Sequence, residues 1–220
     1  MHIHSFRVGK TYIEFEKYFF PRIYLLCGIN GSGKSHFLKL LFASLNMNIN
    51  YASMEDIELV IGRGSGKEIL YFTNGRHLIS LCFTNGGNIV NEIKFSKDPL
   101  FIENKQVFLM MEESECYGIG PLHLTPNVLT YSDSTLTKKF GLGRMSRGER
   151  KREMLRNVLL GTKEESIFLM DDLDSGFHPD SQYQIIRDLQ DWGPQHQYII
   201  TTHSYDMCET LTPANVKEII

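Results

Sequence analysis

The sequence predicts an α/β fold in which a parallel sheet is combined with a group of antiparallel hairpins. Three observations support this. RIYLLCG (22–28) is a continuous β-prone run that ends in glycine, and GKSHFLKLLFASLN (33–46) follows it with apolar residues at helical spacing. The second half alternates helix, strand, helix and strand (146–201), as parallel sheets do. Between the two halves, short β-prone runs are separated by the glycine-rich turns RGSG, TNGR and TNGGN, a pattern typical of hairpins.

Composition limits the class of protein. With 220 residues, of which 42% are apolar, the chain is expected to form one domain over 1–220, with a hairpin region at 51–112 and a helical region at 113–160. No apolar run approaches the ~20 residues that span a bilayer, and MHIHSFRVGK has no hydrophobic core of a signal peptide. We therefore expect a cytoplasmic protein without membrane insertion. A net charge of −3 argues against a generally basic coat for nucleic acid, and the four cysteines have no CxxC spacing, so no function is assigned to them.

The tetrapeptide GSGK occurs twice, and only the first copy has the residues of a phosphate-binding loop. GINGSGKS (28–35) fits the pattern GxxxxGK[ST], in which backbone N–H groups and a lysine hold phosphates and a hydroxyl holds magnesium. IGRGSGKE (61–68) has Ile61 in place of the first glycine and Glu68 in place of the hydroxyl, so a hairpin turn is the better interpretation. The predicted nucleotide-binding residues of the first loop are Asn30, Gly31, Ser32, Gly33, Lys34, Ser35 and His36.

Two acidic residues and a histidine follow the predicted strands of the second half. In SIFLMDD (166–172), Asp171 is a candidate ligand for Mg²⁺, together with Ser35, and Asp172 is a candidate base for an attacking water. His203 follows QYIITT (197–202), at the sheet edge where ligands bind in open α/β folds. Alone, two acids at a strand end and a histidine after a strand are more often structural, so these residues gain their significance from the lysine loop.

The segment RMSRGERKREML (144–155) predicts a well-capped helix. Ser146 and Glu149 have the spacing of a capping box. The same helix start, with Gly148 close by, is also suited to bind an anion. The two interpretations are compatible.

Taken in order, these motifs resemble the ABC-type ATPase superfamily: GINGSGKS as Walker A, MSRGE as the signature, IFLMDD as Walker B and TTHS as the switch histidine. Within it, IHSFRV and DDLDSGFHP are more similar to soluble SMC, RecF and OLD-like ATPases than to transporter subunits. The resemblance implies a P-loop NTPase with a mixed sheet core, an antiparallel β subdomain and a small helical subdomain, without coiled-coil arms. It also implies that ATP and Mg²⁺ bind between two identical or different heads, and that the pair of heads drives or gates a separate partner protein. In that arrangement Lys34, Asp172 and His203 are catalytic, Arg7 is a nucleotide contact, and one head's signature meets the other's phosphates through Ser146, Arg147, Gly148 and Glu149.

Departures from the family pattern leave several functions open. Asp172 stands where the family has glutamate, which favours either a slower ATPase or an ATP-sensing switch that gates an effector. The family's Q-loop glutamine is not placed, since Gln106 precedes VFLMM (107–111) and Glu112 or Glu113 follows it. A transporter subunit is disfavoured by GFHP (176–179). A P-loop kinase would leave the motifs SRGE and TTHS unexplained. The sequence does not distinguish GTP from ATP as the nucleotide. Six basic residues are candidates for DNA contact, for the ATP interface or for a solvated helix face: Arg144, Arg147, Arg150, Lys151, Arg152 and Arg156.

Overall fold

A computed structural model describes residues 2–15, 22–46, 57–63, 66–73, 76–85, 88–94, 107–116, 126–131, 138, 141 and 145–219, with 62–94 described by backbone alone. The strands are β1 His2–Val8, β2 Thr11–Glu14, β3 Ile23–Cys27, β4 Ile57–Arg63, β5 Gly66–Thr73, β6 Arg76–Asn85, β7 Asn88–Lys94, β8 Val107–Met111, β9 Val128–Thr130, β10 Ile167–Met170, β11 Gln197–Thr201 and β12 Val216–Glu218. The α-helices are α1 Lys34–Leu45, α2 Glu113–Cys116, α3 Arg147–Gly161, α4 Pro179–Trp192 and α5 Tyr205–Glu209, and a 3₁₀ turn covers Pro213–Asn215.

The described strands form two six-stranded sheets, and the predicted α/β fold is confirmed. One sheet is parallel throughout, in the order β12-β3-β11-β10-β8-β9. The other is antiparallel throughout, in the order β2-β1-β4-β5-β6-β7. Among the described strands, parallel pairing and antiparallel pairing thus occur in separate sheets. The division at 51–112 and 113–160 stays a prediction, although β8, inside the first range, pairs in the parallel sheet.

The parallel sheet is covered on both faces, which explains why its strands are apolar without alternation. Successive side chains of a strand point to opposite faces, so Leu169 packs with α1 and the antiparallel sheet, whereas Met170 packs with α3 and α4. On the first face, β1 contacts α1 directly, since the rings of Phe6 and Phe37 are 4.9 Å apart. All residues of β10 and β11 are buried, and each large apolar side chain so buried stabilises the fold by about 1.5–3 kcal/mol.

The second GSGK copy lies at a hairpin. β4 and β5 are antiparallel neighbours, and Arg63 pairs with Gly66. Gly64 and Ser65, which would form the turn itself, lie outside the described residues. Among the described helices, all fall short of the length and apolarity that crossing a membrane requires.

Candidate functional site

The predicted lysine loop, strand-end acids and histidine lie at one edge of the parallel sheet. Because all six strands run in the same direction, their carboxyl ends lie together. The lysine loop follows β3, His203 follows β11, and Asp171 and Asp172 follow β10. Glu112 follows β8 at the same edge. The order β3-β11-β10-β8 therefore places the carboxylates and the histidine beside the lysine loop.

The Lys34 side chain bonds back to the backbone of the loop that precedes it. The Lys34 side chain is buried, and its Nζ donates to the carbonyl oxygens of Gly28 at 2.8 Å and Ile29 at 3.0 Å. Gly28 is required for close packing, because a Cβ at this position would lie 2.4 Å from the Ile219 carbonyl oxygen. The chain thus keeps a buried ammonium group at the start of α1, where a phosphate would also meet the positive end of the helix dipole.

Several features of this loop fit a bound phosphate. Gly31 and Gly33 have φ of 82° and 91°, a region that glycine adopts readily. Gly33 is the N-cap of α1 and no side chain caps the helix, so the first-turn N–H groups are available to an anion. The Ser32 Oγ atom is buried without a hydrogen-bond partner. Asn30 and His36 are exposed on the loop and the first turn, and Ser35 is half-buried.

One threonine bonds the Asp171 carboxylate and the Asp172 backbone. The Thr201 hydroxyl donates to Asp171 Oδ1 at 2.6 Å and accepts from the Asp172 backbone N–H at 2.8 Å. Asp171 is 2% exposed, so its carboxylate is held rigidly in a nearly water-free position. An aspartate oxygen and the Ser35 hydroxyl at the same sheet edge are hard oxygen donors, which are the ligands that Mg²⁺ prefers. By their chemistry these donors suit a magnesium ion, and their role as its ligands stays a prediction.

Asp172 lies in a strained and electrostatically unusual position. Its φ is 50°, which is rare for a residue other than glycine. Burial and the neighbouring Asp174 carboxylate raise the pKa of Asp172, and the charges of Lys151 and His203 act in the opposite direction. Asp174 Oδ1 also accepts from the Thr202 hydroxyl at 2.6 Å and from the backbone N–H of exposed His203 at 3.2 Å. Asp174 and Thr201 were missed from the sequence, because only their positions, in the loop after β10 and at the last residue of β11, hint at a role.

The predicted capping box is confirmed. Ser146 Oγ accepts from the Glu149 backbone N–H at 3.3 Å, and Glu149 Oε2 accepts from the Ser146 backbone N–H at 2.9 Å. These bonds lower the pKa of Glu149. Both side chains are exposed, whereas the Arg147 guanidinium turns to the Glu112 carboxylate at 2.9 Å. Glu112 thus belongs to the site's surroundings as an ion-pair partner of the signature segment, at the position where a Q-loop glutamine was sought.

Arg7 lies on β1, in the antiparallel sheet. It is exposed on β1, and its guanidinium lies 5.0 Å from the ring centroid of Tyr12. Its neighbours Phe6 and Val8 are buried, so Arg7 faces away from the α1 side of the sheet. A nucleotide contact by Arg7 stays a prediction.

The basic residues of α3 are largely engaged within the chain. Arg152 forms a two-bond pair with Asp188 at 2.5 and 3.0 Å, and Arg156 contacts Glu153 at 3.3 Å. Lys151 is 1% exposed. Arg144, another member of the predicted basic set, lies outside the described residues. Ion pairing within the chain reduces the free positive charge that this helix presents, and DNA contact stays a prediction.

Comparison with known proteins agrees with this geometry. No family model matches the sequence, and no curated protein matches it with significant similarity. The SMC head domain from Thermotoga maritima is similar in structure, with a TM-score of 0.56 and 15% sequence identity over 96% of this chain and 92% of that chain. The chain has the fold of an SMC head domain. A second SMC head, solved in complex with the C-winged helix domain of ScpA, is similar with a TM-score of 0.54 and 11% identity, over 96% of this chain and 92% of that chain.

The SMC-head fold confirms the resemblance that the motifs predicted. At identities of 15% and 11% the similarity is one of fold, and function must be argued from the site itself. The more specific likeness to RecF and OLD-like ATPases stays a prediction, as do the roles of the individual site residues.

Proposed function

We propose that this protein is a magnesium-dependent ATPase head that pairs with a second head when ATP binds and so drives or gates a separate partner protein in the cytoplasm. The observation that carries this proposal is the pair Asp171 and Asp172, held by Thr201 at the same sheet edge as the Lys34 loop. A lysine loop alone is compatible with many phosphate ligands. A lysine loop beside one fixed carboxylate and a second acid on a fixed backbone has the parts that hydrolysis of a nucleoside triphosphate requires.

The residues divide the chemistry as follows. Lys34 and the first turn of α1 bind the phosphates, and Ser35 and Asp171 would hold Mg²⁺, which neutralises charge on the phosphate oxygens. Asp172 orients the attacking water and accepts its proton, a role helped by a pKa raised towards neutrality. His203 is tied to the same loop through Asp174 and contacts the terminal phosphate.

Pairing of two heads follows from where the signature residues lie. Ser146 and Glu149 are exposed, and Met145 and Ile29 are exposed apolar side chains next to the signature and within the lysine loop, 40% and 78% exposed. These surfaces suit a contact in which the α3 N-terminus of one head meets the phosphates on the other. The similar SMC head was solved with the C-winged helix domain of ScpA, which supports a separate protein as partner here.

A slow ATP-sensing switch is the second candidate, favoured by Asp172. Its side chain is one methylene shorter than glutamate and sits on a backbone with φ of 50°, so its reach to the water is restricted. In this case ATP closes the two heads, and slow turnover keeps them closed long enough to hold an effector.

Mixing two inactive variants tests the proposal. Lys34→Ala removes the phosphate-binding cation, and Ser146→Arg blocks the signature of the facing head. Each variant alone should lose nearly all ATP turnover. A 1:1 mixture should recover about a quarter of the wild-type rate, because half of the dimers are mixed and one of their two sites is intact.

A mixture no more active than the two separate variants would show that each site is built within one head. If wild-type protein binds ATP tightly but turns over too slowly to measure, the switch is supported and the ATPase proposal fails. Duplex DNA added to the wild type and to Lys34→Ala tests DNA coupling: stimulation only of the wild type would indicate a DNA-linked ATPase.

A further inference from the structure

Lys151 is a buried lysine that bonds the loop carrying Asp172. It lies on the second turn of α3 and is 1% exposed. Its Nζ donates to the backbone carbonyl oxygens of Asp172 and Ser175, both at 3.0 Å. We call residues 171–177 the Asp172 loop. Two hydrogen bonds from one buried ammonium therefore join α3 to both sides of this loop.

The groups around Lys151 stabilise its buried ammonium. The Glu112 carboxylate lies 3.7 Å from Nζ, and the Tyr131 ring centroid lies 3.8 Å from it. The Phe177 ring centroid is 5.6 Å away. A buried ammonium is costly unless it is paired and hydrogen-bonded, and here a carboxylate, two carbonyl groups and an aromatic face compensate it. These bonds and contacts define the position of the side chain closely.

The first turn of α3 touches the same loop. A Cβ on Gly148 would lie 2.6 Å from the Gly176 carbonyl oxygen, so helix and loop are in backbone contact. The Arg147 side chain covers Gly176, with its Cδ 3.3 Å from where a Cβ would stand, and its guanidinium pairs with Glu112. The signature segment and the Asp172 loop are thus one packed unit in which Lys151 is the central polar contact.

We propose that Lys151 is a positioning residue that couples the N-terminal turn of α3 to the placement of Asp172. The proposal rests on the function proposed above, in which the facing head's phosphate contacts this turn. Asp172 has a backbone conformation that persists only when its surroundings hold it, and two contacts do so: Thr201 binds its N–H and Lys151 binds its carbonyl oxygen. A shift of α3 on contact with a phosphate therefore moves the carbonyl side of Asp172 directly.

Lys151→Met tests this, since methionine keeps most of the apolar stem and removes the ammonium. The matched control is Lys39→Met, because Lys39 is also a buried lysine, on α1, and pairs with Glu115 at 2.8 Å, away from the loop. Lys151→Met should retain its ATP dissociation constant and lose turnover by about ten- to a hundred-fold, the effect of a misplaced catalytic group. Lys39→Met should keep both. Lys151→Arg restores the charge and donors and should recover part of the lost turnover.

Hydrogen exchange of the peptide that contains residues 166–177 gives a readout independent of turnover. Lys151→Met should speed exchange there, and Lys39→Met should not. Unchanged exchange and turnover in Lys151→Met would overturn the proposal, as would equal losses in both variants. If wild-type protein shows no turnover, the proposed function fails while the exchange comparison still decides the positioning role. If Lys151→Met does not fold, the same comparison is made on Lys151→Arg, whose larger guanidinium cannot reproduce both short bonds.

Discussion

Gly148→Ala is expected to destabilise the protein although alanine is the better helix former. At Gly148 the added methyl would stand 2.6 Å from the Gly176 carbonyl oxygen and 3.5 Å from Phe177 Cδ1. The close neighbour is backbone, which cannot rotate away, so α3 and the Asp172 loop must separate. Overpacking of this kind costs about 1–3 kcal/mol, against a gain of about 0.5–1 kcal/mol from replacing a helical glycine. We therefore expect a net loss of about 0–2.5 kcal/mol, centred a little above 1 kcal/mol.

Gly161→Ala is the matched control, because Gly161 ends the same helix and a Cβ there meets nothing within 4 Å. It should be neutral or stabilising by up to about 1 kcal/mol. In a domain of this size 1 kcal/mol corresponds to about 2–4 °C, so thermal unfolding should separate the two variants by roughly 4–10 °C. Gly148→Ala should also turn over ATP more slowly than Gly161→Ala. Equal melting temperatures and equal turnover in the two variants would refute the contact between α3 and the loop.

Two further predictions concern the strand-end acids and Lys151. Thr201→Val removes the hydroxyl that binds Asp171 and the Asp172 N–H, so it should cost about 1–3 kcal/mol of stability and raise the Mg²⁺ concentration needed for half-maximal turnover. Thr162→Val, which removes a hydroxyl bond to Val158 at the far end of α3, should not change that concentration. Burial lowers the pKa of Lys151 from 10.5 to about 8, and the charge of Arg147 adds to this shift. The carboxylates of Glu112, Asp172 and Asp174 oppose it, and the Tyr131 ring lies over the ammonium. Turnover should therefore fall as the pH rises through about 8, and Lys151→Arg should move this fall to higher pH. A pH–rate profile with no fall near 8 would contradict the role of the ammonium. Because the unfolded chain keeps this proton up to about 10.5, the contribution of Lys151 to folding stability should rise as the pH increases from about 8 to about 10.5.

The sequence predicts the parts of the site that short motifs determine, and misses those that depend on packing between distant segments. The lysine loop, the two acids after β10 and the Ser146 capping box could be predicted, because each is defined by residues within one short segment. Thr201 and Lys151 could not. Thr201 matters because β11 is the neighbour of β10, and Lys151 because α3 packs on the loop after β10, and neither contact has a signal in local sequence.

The charge of α3 also differs between what the sequence suggests and what the folded chain presents, and this affects which kind of partner is favoured. A run of basic residues suggests attraction to phosphate backbones, whose binding strength depends on how many cations are free to replace counterions. In the structure Arg147, Arg152 and Arg156 each contact a carboxylate of the same chain, and Lys151 is buried. DNA contact through this face would first have to break those pairs. The pairing of these cations within the chain therefore favours a protein partner over DNA contact through this face.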